Sequence, residues 1–302
     1  MSRTAGSHWW FVQRSAAPYV FVSPFVILFA IFMAYPLVQS IWMAFHITNG
    51  PRSSVFVGLG NFRFLLEDPD FWTALNNTAV FALFSVFLQL PLSLGLALLL
   101  NARWVKGRNA FRLAFFSPHL VGQVFVAVLF SLIFIPRFGL LNRVIHAVSG
   151  RGLETMWLMN PNLVMPALVI TSLWMYVGFN MIYFLAALQN VDRTLYEAAQ
   201  ADGASPWQQF VHVTLPGIKP VAVFVVLMST IGSFQLFELP FVLLNGAGPK
   251  NAGLTIVMYL YNTGFSTGDL GYASAIGWAL VLITLTISLV QARVAGLWRR
   301  DA

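Results

Sequence analysis

"YEAAQADGASPWQQFVHVTLPGIKP" spans Tyr196–Pro220 and is the longest polar, helix-capped stretch in a chain that is otherwise mostly apolar. Its local grammar predicts two short helices. Thr194 and Glu197 have the Thr-x-x-Glu spacing of a capping box, and Ala198, Ala199 and Ala201 follow as strong helix formers. Gly203 stands where a helix would end in a left-handed residue. Ser205 as N-cap, Pro206 at the first helical position and Gln208 closing a second box start the next helix. Pro216 and Pro220 are then expected to break the chain. Read alone, such an element is either a rigid knob presented to another protein or a structured loop lying on a membrane surface.

The residues on either side decide the fold class. Of 302 residues, 58% are hydrophobic and 9% charged, and the mean hydropathy is +0.75. A soluble domain carries about 25% charged residues, so this chain could not cover a water-facing surface. Six apolar runs are long enough to cross a hydrocarbon core of about 30 Å: Tyr19–Phe45, Trp72–Leu100, Phe111–Ile135, Leu163–Leu188, Pro220–Leu244 and Leu270–Ala292. The first is too long for the apolar core of a signal peptide and is expected to be retained. Six spans put both termini on one side. That side, which includes residues 101–109 and 189–219, would carry eleven basic residues against six on the other, together the seventeen in the chain. Basic excess marks the cytoplasmic side. The net charge of +7 therefore signals orientation rather than nucleic-acid binding. The expected segments are a cytoplasmic 1–18, a membrane domain 19–292 and a cytoplasmic tail 293–302. With no cysteine there is no disulfide and no thiolate metal site.

Glu197-Ala198-Ala199, then Gly203, then Val213-Thr214-Leu215-Pro216 resembles the EAA motif of permease subunits of binding-protein-dependent ABC importers. The spacing agrees throughout, and the one departure is Val213 where the pattern has Ile. Phe56–Thr78, Ser233–Pro249 and Gly271–Trp278 resemble the carbohydrate, maltose-permease-like branch. The resemblance implies an all-α integral membrane protein with a six-helix permease core and a cytoplasmic coupling helix, in a bacterial or archaeal plasma membrane. It implies a second permease, expected as a heterodimer, two ATP-binding-cassette ATPase subunits and an extracytoplasmic solute-binding protein. It also assigns Thr194, Glu197, Ala198, Ala199, Gly203, Leu215 and Pro216 to coupling with the ATPase. No Gly-x-x-x-x-Gly-Lys-Ser/Thr phosphate loop occurs, so ATP and Mg are expected on the partners and no cofactor on this chain.

Polar groups inside spans are costly and mark candidate solute contacts. In the fifth span these are Ser233, Gln235 and Glu238, the last two expected on one helical face, with Phe234 and Phe237 supplying flat rings for sugar faces. In the fourth, Tyr176, Asn180 and Tyr183 share a face, although aromatic stripes more often pack. Ser274 of the last span could reach a solute. Pro118, His119 and Gln123 form a polar break in the third. Glu238 could equally snorkel to water, or serve an ion-coupled secondary carrier as the alternative function. The outer loops Ile47–Phe71 and Pro136–Asn162 are candidates for docking the solute-binding protein. Neither metal-ligand spacing nor a Ser/His/Asp set points to an enzyme. A strongly anionic solute would call for buried arginines, and a neutral sugar is favoured.

Overall fold

The structure is a computed structural model that describes residues 5–48, 54–102 and 104–296, with side chains from residue 16 onward. Arg3, Arg52, Arg103, Arg299 and Arg300, which enter the charge comparison, lie outside the described residues, as does the side chain of Arg14.

In chain order the elements are α1 (Ala16–Ala44, the apolar part of a helix that begins at Ala5), β1 (His46–Thr48), β2 (Ser54–Phe56), α2 (Gly60–Glu67), α3 (Pro69–Asn101), α4 (Arg108–Leu120), α5 (Gln123–Ile133), α6 (Leu140–Ser149), α7 (Pro161–Gln189), α8 (Arg193–Ala201), α9 (Pro206–Phe234), α10 (Glu238–Leu243), α11 (Ile256–Tyr261) and α12 (Leu270–Val294). Among the described residues five of these are long and apolar enough to cross a membrane, and the α4–α5 pair, bent by 99°, passes the same test if its two arms are taken together as one broken span. The expected boundaries at residues 18 and 292 fall inside helices.

Three spans open on the same two-residue device. The side chains of Asp68, Asn160 and Ser205 accept backbone N–H groups of the first turn, and Pro69, Pro161 and Pro206 follow at the first position. Proline loses nothing there, because that N–H has no helical partner anyway. Prolines inside spans are handled differently. Five-residue π-helical turns at Ala30–Ala34, Ser85–Gln89 and Phe210–Thr214 each end two residues before a proline, Pro36, Pro91 and Pro216. The extra residue per turn relieves the missing donor and the ring clash. Pro216 and Pro220 therefore do not break the chain. The second helix of the opening stretch is not short: it runs unbroken for 29 residues as α9.

The fifth span also ends earlier than its composition suggests. Helix α9 stops at Phe234, Phe237 leaves the helical region, and α10 begins anew at Glu238. Pro240 cannot donate to the Leu236 carbonyl four residues back. That carbonyl accepts the Thr255 hydroxyl instead, at 2.7 Å. Gln235 and Glu238 consequently do not share a helical face.

The described residues form two compact units. In one, residues up to Leu65 associate with Thr263–Trp278. There the Asn61 amide donates to the carbonyls of Ala44 and His46, both at 2.9 Å, tying α2 to the end of α1. Strands β1 and β2 pair antiparallel, a small addition to an otherwise helical fold. In the other unit, Leu66–Asn262 with the residues from Ala279, α7 is the central helix. One apolar cluster joins Phe130 of α5 and Phe134 just past its end to Val164 and Leu168 of α7 and Leu239 of α10. A second joins Leu90 and Leu100 of α3 to Met181 and Phe184 of α7 and Ile218 of α9. Helix α4 crosses α7 so closely that a β-carbon at Gly178 would lie 1.7 Å from the Phe115 carbonyl oxygen.

Candidate functional site

Between these two apolar clusters, α3, α5, α7 and α9 enclose a cavity of about 300 Å³. Its polar wall comes from Ser85 and Gln89 on α3, Gln123 at the start of α5, Ser172, Tyr176 and Asn180 on α7, and Ser229 and Ser233 near the end of α9. Gln235, just past α9, closes one end, and Phe81, Phe179 and Met228 supply apolar surface. Hydrogen bonds hold much of this wall in place. The Ser172 hydroxyl donates to Gln89 Oε1 at 3.0 Å, and Gln123 Nε2 donates to the Tyr176 hydroxyl at 2.7 Å. The Ser233 hydroxyl is satisfied by the Ser229 carbonyl at 2.7 Å. Among the described residues, every side chain lining the cavity is uncharged.

The cavity thus gathers Tyr176, Asn180, Ser233 and Gln235 from the candidates of the sequence. Tyr183 is turned outward against Phe179 and Phe224, with ring centroids 5.3 and 5.9 Å away. Phe234 is buried in packing. Phe237 packs in tilted ring contacts against Phe241 and Tyr261, with centroids 5.1 Å away in both cases. Glu238 sits in the first turn of α10 rather than on the cavity wall. Ser274 donates to the Leu270 carbonyl of its own helix at 2.7 Å. Sequence reading passed over Ser85, Gln89 and Ser172. The available signal was the pair Ser85 and Gln89, four residues apart in a charge-free span and therefore on one face.

The polar loop is built as follows. Helix α8 is capped by Asp192, whose carboxylate accepts the Thr194 N–H at 2.9 Å. Thr194 is therefore inside the helix, and the expected Thr194–Glu197 capping box is not formed. Asp192 is as good a cap and lies earlier. At the other end Gly203 has φ +78°, its N–H bonds the Gln200 carbonyl at 3.0 Å, and the Ala204 N–H bonds the Ala199 carbonyl at 2.9 Å. This is the Schellman arrangement. Ser205 and Gln208 form the expected reciprocal box, at 2.8 and 3.4 Å. The Tyr196 and Thr214 hydroxyls, 2.9 Å apart, bind α8 to α9. Glu197 and Ala198 are exposed, Leu215 is partly so, and Pro216 follows at the head of the apolar part of α9. Glu197 and Arg193 also border a polar cleft of about 650 Å³ that reaches Asn101 and Arg108.

The family of binding-protein-dependent transport system inner membrane components matches residues 9–300. The chain belongs to that family. Among its relatives, the arabinooligosaccharides transport system permease protein AraP of Bacillus subtilis is 39% identical over 292 residues, covering 96% of this chain and 92% of AraP. The lactose transport system permease protein LacF of Rhizobium radiobacter is 35% identical, covering 90% of this chain and 92% of LacF. A chain of a bacterial ABC transporter involved in import of the acidic polysaccharide alginate superposes with a TM-score of 0.83 at 26% identity, over 97% of this chain and all of that one. This permease is accordingly a multi-pass inner-membrane transport subunit and not an enzyme, and nothing supports the ion-coupled carrier built on Glu238.

Proposed function

We propose that this permease subunit imports a neutral sugar or oligosaccharide, and that its half of the path is the cavity between α3, α5, α7 and α9. The observation that carries the reading is the lining: amides and hydroxyls from Gln89, Gln123, Asn180, Gln235 and the serines, beside the rings of Phe81, Tyr176 and Phe179. Amides exchange hydrogen bonds with sugar hydroxyls, and rings cover the apolar faces of pyranoses and furanoses. An acidic saccharide would need cationic partners, which this wall lacks. The relatives named for arabinooligosaccharide and lactose transport agree with a neutral cargo, whereas the structurally similar alginate importer is described for an acidic polysaccharide.

The rest of the assembly follows the family. A second permease supplies the other half of the path, and a heterodimer is the expected pairing. Two ATPase subunits dock on the loop 189–219, with Glu197, Ala198, Ala199 and Gly203 at the contact and Leu215 and Pro216 carrying it into α9. A solute-binding protein delivers cargo to the opposite face, and both termini and the loop are cytoplasmic.

The test is uptake across a panel of neutral and uronic sugars in a strain lacking the gene, complemented with the wild type or with Asn180→Ala or Gln235→Ala. Neutral saccharides should be taken up, and each variant should raise KM at least several-fold or change the preferred sugar. Unchanged kinetics in both variants would remove the cavity from the path.

A further inference from the structure

Helix α6 separates apolar and polar faces strongly, yet packing uses only part of its apolar face. Leu140, Val144 and Val148 recur every four residues and form one stripe along it. They are 62, 52 and 86% exposed, and Phe138 extends the stripe at 75%. Met156 and Met159, in the turn leading to α7, are also exposed. Arg143 and His146 are exposed on the other face, and Arg151 follows just past the end of the helix.

The height of this helix is fixed. Asn142 is fully buried, donates to the carbonyls of Ile135 (3.4 Å) and Thr155 (2.9 Å), and accepts from Trp157 Nε1 at 2.7 Å. Ile135 is two residues beyond the end of α5. The first turn of α6 is thus pinned at the level where α5 ends. The outward side chains of α5, Phe125, Leu129 and Leu132, are exposed apolar groups on the second arm of the bent α4–α5 pair. The α6 stripe continues that lipid-facing surface at its border. The charge agrees: residues 136–160 hold Arg137, Arg143 and Arg151 against Glu154 alone, and Glu154 is paired with Arg137.

We propose that α6 is an interfacial anchor, lying in the headgroup boundary of the leaflet opposite the Glu197 loop. Its stripe enters the acyl region, and Arg143 and Arg151 meet lipid phosphates. The same segment was a candidate for docking the solute-binding protein, and the two occupants can be told apart.

The chain has no cysteine. Single cysteines at Val148, Leu140 and, on the polar face, His146 can therefore be labelled with a small fluorophore in the complete importer, its other subunits made cysteine-free. The importer is placed in nanodiscs of phosphatidylethanolamine and phosphatidylglycerol. Labels at Val148→Cys and Leu140→Cys should be quenched several-fold more by lipid carrying a shallow nitroxide than by aqueous iodide, and the label at His146→Cys should show the reverse. Equal iodide access at all three positions would overturn the anchor. Iodide access at Val148 that is lost only when the solute-binding protein is added would overturn it in favour of a protein interface.

Discussion

Gly203 and Gly178 are glycines for opposite reasons. At Gly203 there is open space around a would-be side chain, and the constraint is the backbone, with φ at +78°. A Gly203→Ala variant should cost about 1–2 kcal/mol locally. Hydrogen exchange over Arg193–Ala201 should accelerate, and transport per ATP hydrolysed should fall, while the spans remain inserted. At Gly178 the backbone is ordinary helix and the constraint is space, since the Phe115 carbonyl occupies it. Gly178→Ala should therefore force α4 away from α7, at about 1–3 kcal/mol or more, seen as a lower Tm of the purified complex. Sequence reading found Gly203, Ser205 and Gln208 because their signals lie within a few residues. It chose Thr194 over Asp192 as the cap because the spacing to Glu197 looked better. It had no access to Gly178, whose role depends on a helix about 60 positions earlier.

The spans were legible as elements because length and charge alone define them. Their interruptions were less so. Pro118 marked a break in the third span, but a polar dipeptide carries no angle, and the 99° turn is made just after it, where Val121 and Gly122 take extended backbone between α4 and α5. The apolar composition past Phe234 hid the end of α9, which is set by Pro240 and by Thr255 from a distant segment. Thr255→Val would leave the buried Leu236 carbonyl without that donor, and Thr255 also caps α11 through the Met258 N–H at 3.3 Å. A loss of about 1–3 kcal/mol is expected, read as a drop in Tm that Thr255→Ser largely restores. Unchanged Tm in Thr255→Val would show that the break does not depend on this bond.

For the molecule as a whole, the cavity is a property of assembly. Tyr176 and Asn180 could be seen from their spacing, whereas Gln89 and Ser172 come from different helices and meet only in three dimensions. Ser172→Ala removes the hydroxyl held by Gln89 and should shift sugar preference more than it shifts maximal rate, measured as kcat/KM ratios across the panel. Since no charged group lines this wall, uptake should persist when the proton gradient is collapsed, provided ATP is maintained. Loss of uptake under those conditions would revive an ion-coupled mechanism.

The continuity of α9 carries a mechanical consequence. Pro206 abuts the glycine elbow, Ser229 and Ser233 face the cavity, and the helix between them is uninterrupted. At about 1.5 Å per residue, Ser229 is roughly 35 Å along the rod from Pro206. Pivoting the rod by about 5° at either extremity would therefore swing the other by about 3 Å, the diameter of a water molecule. A small torque delivered at the elbow is magnified by the length of the helix, with the π-helical turn at Phe210–Thr214 as the place along it where bending would absorb part of the motion.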